Sequence, residues 1–267
     1  LDDDEVITSQ GTFLGFNILV DSRGVLTHRV PLTSGLCFDL DGIAAQINER
    51  TKIIYVANPN NPTGTYVTQS QFERFIEKVP QNVLVIWDEA YFEYAIEHDD
   101  YPDSMAYRLD NVITLRTFSK AYGLAGLRLG YGLAHQSLID SILKVRLPFE
   151  PSVPALVAGN TALMDEEHLK YALDMNRKEL PRVFSHLEKL GLNPVPAAGN
   201  FIMLRRPSAA SADAMVEALM KLGLVVRGLR PFGFPDGIRI TVGTPEANDA
   251  LIAGLDEIME PILRANG

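Results

Sequence analysis

The chain has 267 residues, 46% of them hydrophobic, which is enough for one large core or two smaller ones. Its formal net charge of -10 argues against nucleic acid or an anionic membrane as the main partner. The single Cys37 excludes an internal disulfide, five scattered histidines offer no metal-ligand spacing, and no apolar run approaches the length of a membrane span.

Val6-Ile7-Thr8 opens the predicted elements as a strand, and Phe38-Asp39-Leu40 leads into a helix through about Asn48, with Asp39 or Asp41 as the acidic first-turn residue. A strand over 52–57 follows. Thr68 with Gln71 has the capping-box spacing for a helix reaching about Lys78, and a strand over 83–87 comes next. Strand, helix and strand with short returns make a right-handed βαβ unit, and strands over 111–116 and 129–134 extend the same sheet. Prolines in Leu147-Pro148-Phe149-Glu150-Pro151 mark a break. A long helix is then expected from about Asp165 to Leu190, with Leu169, Leu173, Leu180, Val183 and Leu187 on one stripe. A smaller α/β unit closes the chain: a strand near 200–205, a helix from about Ala212 to Leu222, strands near 224–227 and 237–242, and a helix from Pro245. The fold class is therefore α/β, a mainly parallel sheet flanked by helices plus a smaller C-terminal α/β unit. The division is expected between 1–160 and 161–267.

Three strand ends carry the chemistry. Asn111-Val112-Ile113-Thr114-Leu115-Arg116 is a buried-looking strand, so Lys120 emerges at its carboxyl end, where open α/β sheets hold ligands. Thr117, Ser119 and Arg128 supply two hydroxyls and a guanidinium suited to a phosphate beside that amine. Lys120 is thus the candidate for a Schiff base, set against a solvated lysine in an ordinary turn. Asn58-Pro59-Asn60-Asn61-Pro62-Thr63-Gly64 follows the strand Lys52 to Ala57, and Asp88-Glu89-Ala90-Tyr91 follows Val83 to Ile86. Separately, the first is a Pro/Gly-rich turn and Asp88 a helix cap.

In this order the pieces NNPTG, DEAY and TFSKAYGLAGLRLGY resemble the fold-type I aminotransferases that use pyridoxal phosphate, most closely the histidinol-phosphate aminotransferase branch, over nearly the whole chain. That resemblance implies pyridoxal 5'-phosphate as cofactor, with Lys120 as catalytic lysine. Asp88 would hold the ring nitrogen protonated, Asn61 and Tyr91 would donate to the phenolic oxygen, and Thr117, Ser119 and Arg128 would bind the phosphate. Phe13 stands where the family stacks an aromatic on the ring, more usually a tyrosine.

Substrate contacts are also implied. In Gly237-Ile238-Arg239-Ile240-Thr241-Val242-Gly243 the apolar residues alternate and Arg239 faces away from them, the pattern of a solvated edge-strand arginine. The family places its carboxylate-binding arginine there. Arg227 matches a position that helps bind the phosphate of histidinol phosphate. Asn200 matches a position near bound substrate and equally suits a turn before the strand Phe201 to Leu204. The expected reaction moves an amino group between histidinol phosphate, or a related amino acid, and 2-oxoglutarate/glutamate, in a cytoplasmic homodimer with no nucleic-acid or membrane partner. Aromatic amino acid transamination, phospho-amino-acid decarboxylation and a catalytically inactive remnant are the other readings. A dehydrogenase reading fails because Gly126, Gly130 and Gly132 lack the dinucleotide spacing. The opening Leu1-Asp2-Asp3-Asp4-Glu5 resembles the stretch just before an inner strand of the family's large domain, which the family precedes with an arm, a first strand and helix, and a phosphate-binding Gly/Ser turn; the expectation is either a fragment of a longer polypeptide or a natural truncation.

Overall fold

The computed structural model describes residues 3–265, the side chains of 261–265 excepted. Leu1 and Asp2, part of the expectation about the chain's opening, lie outside the described residues. A six-stranded sheet begins with β1 (Glu5–Ser9), whose EVITS run is buried throughout. The chain then forms α1 (Leu14–Ser22) and the parallel β2 (Leu26–Val30), neither foreseen from the sequence. Apolar residues ring α1, with Ile18 and Leu19 exposed, and β2 mixes polar and apolar residues, so neither shows a clean period.

The next elements match their signals. α2 (Leu40–Ala45) starts on Asp39, whose carboxylate accepts from the Gly42 amide at 2.9 Å. β3 (Thr51–Ala57) leads to α3 (Gln69–Ile76), where the Thr68 amide donates to Gln71 Oε1 at 2.8 Å, so the capping box is present. β4 (Leu84–Asp88), the short α4 (Phe92–Ala95) and α5 (Ser104–Tyr107), β5 (Val112–Thr117) and β6 (Gly130–Leu133) complete the set. The strand order is β2-β1-β3-β4-β5-β6, parallel except for β6. Ile7, Ile54, Val56, Val85 and Trp87 pack with Phe72 and Phe75 of α3 to form its core.

Beyond the sheet lie α6 (Gln136–Val145) and α7 (Val153–Met164), which the sequence reading did not contain. The proline-rich stretch leads directly into α7, because Pro154 sits in the first turn, where a missing N–H costs nothing, and Ser152 caps the helix. α8 (Glu166–Lys189) follows, capped by Asp165, and residue 160 lies inside α7. Only the second half of the predicted α8 stripe is core: Val183 and Leu187 are buried, whereas Leu169 and Leu173 are half-buried.

A four-stranded antiparallel sheet of β7 (Pro194–Val195), β8 (Phe201–Arg205), β9 (Arg227–Gly228) and β10 (Gly237–Thr241) has the order β7-β8-β10-β9. α9 (Ala209–Lys221) starts at the Ser208 cap, before the expected Ala212, and α10 (Pro245–Ala265) ends the described chain. The strand expected over 224–227 is corrected to β9. Leu224, Val225 and Val226 alternate as a strand would, yet the Leu224 amide turns back to Leu219 O, and pairing with β10 is confined to Arg227 and Gly228. β10 lies between β8 and β9, so Arg239 is not an edge-strand residue. Val183, Leu187, Ile202, Leu204, Leu219, Ile238, Ile240 and Leu255 form this second core.

Candidate active site

The parallel strands of the larger sheet end side by side. Ala57 of β3 pairs with Asp88 of β4, and Asp88 with Leu115 of β5, so the segments after these strands converge on one cleft of about 410 Å³. That volume suits a small ligand. Phe13, Asn61, Asp88, Tyr91, Thr117, Ser119, Lys120 and Arg128, eight of the eleven residues singled out from the sequence, line it.

Backbone geometry explains the convergence. In the NNPTG turn the Gly64 φ is +79°, and a Cβ there would meet Ala197 Cβ at 2.6 Å, so glycine is required where this turn abuts the loop before β8. Asn58 accepts from the Val67 amide at 2.8 Å, and Asn60 donates to Thr63 Oγ1 at 2.9 Å. These bonds leave Asn61 as the turn's forward-facing amide. Its Oδ1 accepts from Arg239 Nη1 at 2.5 Å, joining the turn after β3 to β10 of the smaller sheet.

Asp88 is half-buried. Its Oδ2 accepts from the Tyr55 hydroxyl at 2.7 Å and its Oδ1 from the Ala90 amide at 3.1 Å. Burial pushes its carboxyl up from the usual range, while the Tyr55 and Ala90 hydrogen bonds and the charge of Lys120 pull the other way. Lys120 Nζ stands 5.1 Å from the centre of the Tyr91 ring and makes no hydrogen bond or ion pair among the described residues. Tyr91 packs edge-on against Phe201, with centroids 5.1 Å apart. The Ser119 amide donates to Thr117 Oγ1 at 3.1 Å, which curls the chain after β5 and brings both hydroxyls to the cleft. Arg128 is exposed and in the left-handed region at φ 53°, its Nη1 donating to Ala125 O at 2.8 Å. Phe13, at the amino end of α1, is 42% exposed and lines the cleft.

The other three residues lie off the cleft lining. Arg239 is half-buried above Phe201, its Cζ 5.0 Å from the ring centre, and its buried Nε has no partner among the described residues. Burial lowers its pKa, Tyr91 raises it and nearby Arg227 lowers it again. Arg227 is exposed and directly opposite Arg239 in the ladder, so two like charges share one face of the small sheet. Asn200 occupies the loop before β8, where its carbonyl accepts from the Val242 amide at 2.9 Å.

Two groups of residues escaped the sequence reading. Tyr55 lies within a strand, where its phenol reads as core. Under the cleft, Glu89, fully buried, accepts from Arg116 Nε at 2.9 Å and from the Ser104 amide at 3.1 Å, and Arg116 also reaches Asp103 at 2.7 Å. Arg116 caps the Phe92 ring at 3.2 Å. Glu89 was in plain view in Asp88-Glu89-Ala90-Tyr91, but its partner lies 27 residues away and no local spacing announces it.

Among known proteins, the family model for aminotransferase class I and II matches residues 1–255. The histidinol-phosphate aminotransferase of Halalkalibacterium halodurans is 40% identical over 255 residues, covering 95% of this chain and 68% of that protein. The histidinol-phosphate aminotransferase of Brevibacillus brevis is 43% identical over 237 residues, 88% of this chain and 64% of that protein. Among solved structures, the histidinol-phosphate aminotransferase of Sinorhizobium meliloti in complex with pyridoxal-5'-phosphate superposes with a TM-score of 0.89 at 32% identity, covering 97% of this chain and 71% of that one.

Proposed function

Since the chain belongs to the aminotransferase class I and II family, we propose that it binds pyridoxal 5'-phosphate in the cleft and moves an amino group between histidinol phosphate and 2-oxoglutarate/glutamate. One observation carries the reading. A lysine amine with no ion-pair or hydrogen-bond partner among the described residues, the Asp88 carboxylate, the Asn61 amide and the Tyr91 hydroxyl line one cleft at adjacent strand ends.

That donor set fits the cofactor. Asp88 would be the anionic partner of a ring nitrogen, Asn61 and Tyr91 would donate to a phenolic oxygen, and Phe13 would offer a ring face, all four lining the cleft. Thr117, Ser119 and Arg128, at the β5 side of the cleft, would hold its phosphate. When bound, the cofactor supplies an aldehyde that captures an amine and a cationic ring that accepts the electron pair left at the substrate α-carbon. Lys120 Nζ would hold that aldehyde, and its amine is the general acid and base placed to carry a proton to and from the substrate carbon. Arg239 binds the carboxylate common to amino and oxo acids. Arg227, across the ladder, adds a second positive charge for the distal phosphate of a phosphorylated donor.

The names of the relatives favour histidinol phosphate over an aromatic amino acid. Division of the chain near residue 160 into a cofactor-binding and a smaller unit belongs to the same proposal, supported by the two separate apolar cores. So does a homodimer, supported by the exposed apolar residues Val145, Leu147, Phe149, Val153 and Val157 around α6 and α7. The test is to mix the chain with the cofactor and reduce with borohydride, then map the peptides. Covalent label on the Lys120 peptide is expected, and in a separate unreduced sample histidinol phosphate should discharge the absorbance of the bound cofactor. Label elsewhere, or none, contradicts the reading.

A further inference from the structure

We propose that Tyr55 is a positioning residue for this site: its hydroxyl orients the Asp88 carboxylate and keeps it ionised against burial, so that Asp88 can grip a protonated ring nitrogen. The inference rests on the pyridoxal-phosphate reading. Tyr55 sits two residues before Ala57 on β3, so the two share a face, and Ala57 is the ladder partner of Asp88. A tyrosine at that diagonal reaches the carboxylate, and its hydroxyl donates to Asp88 Oδ2 at 2.7 Å.

The ring cannot readily swing away. It is 2% exposed and stacked on Phe16 of α1 at 4.0 Å with an interplanar angle of 8°. Tyr55 does not line the cleft, so it acts only through Asp88. Burial raises the phenol well above its ordinary pKa, so it stays a donor across the working pH range. The titratable groups acting on Asp88 are Tyr55 from β3 and Lys120 from the turn after β5, and Tyr91 beyond β4 acts on Tyr55; α1 contributes the uncharged Phe16, and Phe13 at its N-cap lines the same cleft.

The experiment uses the whole chain and 4-deoxypyridoxine 5'-phosphate, which lacks the aldehyde and so leaves the amine chemistry of Lys120 out of the readout. Its dissociation constant is measured from pH 5 to 9 for the parent and for Tyr55→Phe, which keeps the ring and its stack. Removing the donor makes Asp88 protonate at higher pH. The acid-side loss of affinity is therefore expected to shift upward by about one pH unit, with the two curves meeting at the alkaline end. Superimposable curves, or a uniform offset at every pH, overturn the assignment. Site-specific 3-fluorotyrosine at position 55 keeps the hydroxyl but makes it a stronger donor, so the midpoint should move down; no movement counts against the proposal even if Tyr55→Phe fails to fold. A parent chain that binds neither this probe nor pyridoxal phosphate removes the functional reading itself, and the Tyr55 role with it.

Discussion

Charge is handled differently by the two sheets. At the carboxyl end of the six-stranded sheet, Asp88, Glu89 and Arg116 are held in or beneath the cleft by hydrogen bonds to backbone and neighbouring side chains, and Glu93 is buried beside them. The four-stranded sheet keeps an aliphatic core under α8, α9 and α10 and sets Arg239 and Arg227 on the face away from it, linked to the large sheet through the Arg239 bond to Asn61. A parallel sheet whose strands end together can concentrate chemical groups at one place, at the cost of burying charge. An antiparallel sheet with one free face can offer charge to an incoming ligand without disturbing its core. In the proposed reading, the larger sheet performs the chemistry and the smaller one selects what enters.

Breaking the larger sheet's part should have the largest effect. Lys120→Ala is expected to lower the transamination rate on the order of 10⁴-fold, because proton transfer loses its agent and the aldehyde loses the amine that holds it. It should still bind the cofactor noncovalently, as an absorbance titration would show. Turnover near the parent's would sink the role of Lys120.

Asp88→Asn comes next, with a loss on the order of 10²–10³-fold in the saturating rate and a smaller change in cofactor affinity, since a neutral amide cannot hold a ring nitrogen protonated. Stopped-flow half-reactions measure both quantities, and a rate within a few-fold of the parent would count against this division of labour.

The contrast between the sheets also explains what was legible in the sequence. The strand ends Asn61, Asp88 and Lys120 were readable because each follows a β-branched apolar run and each segment has a turn composition with its own mechanism. Thr68 with Gln71 and Asp39 announced helices through local hydrogen bonds. What stayed hidden depends on partners far apart in the chain. Tyr55 and Asp88 are 33 residues apart, and Arg239 and Asn61 are 178 apart. α1 and α7 were missed because their apolar residues cover the whole circumference, so no face stands out against a solvent side.

Glu93 is buried beneath the site, with Oε2 unpartnered among the described residues. Burial pushes its carboxyl up to about 7. The folded state therefore holds a proton there that the unfolded chain releases at its ordinary value of 4.5, so stability is full below that value and falls as pH rises toward about 7. The loss is on the order of 2–3 kcal/mol across that window. Glu93→Gln should flatten the decline in a series of chemical denaturations, whereas the same series on a small-sheet variant such as Arg227→Ala should keep the parent's slope. An unchanged slope in Glu93→Gln would mean the carboxyl is not the titrating group.

The division between chemistry and selection is tested most directly by single-turnover titrations of Arg227→Ala with histidinol phosphate and with an unphosphorylated aromatic amino acid. Arg227 is exposed, so its charge is worth about 1 kcal/mol to a bound phosphate. Expected are a half-saturating histidinol phosphate concentration raised about fivefold, an unchanged saturating rate, and no change for the unphosphorylated donor. A fall in the saturating rate, or an equal effect on both donors, would contradict it.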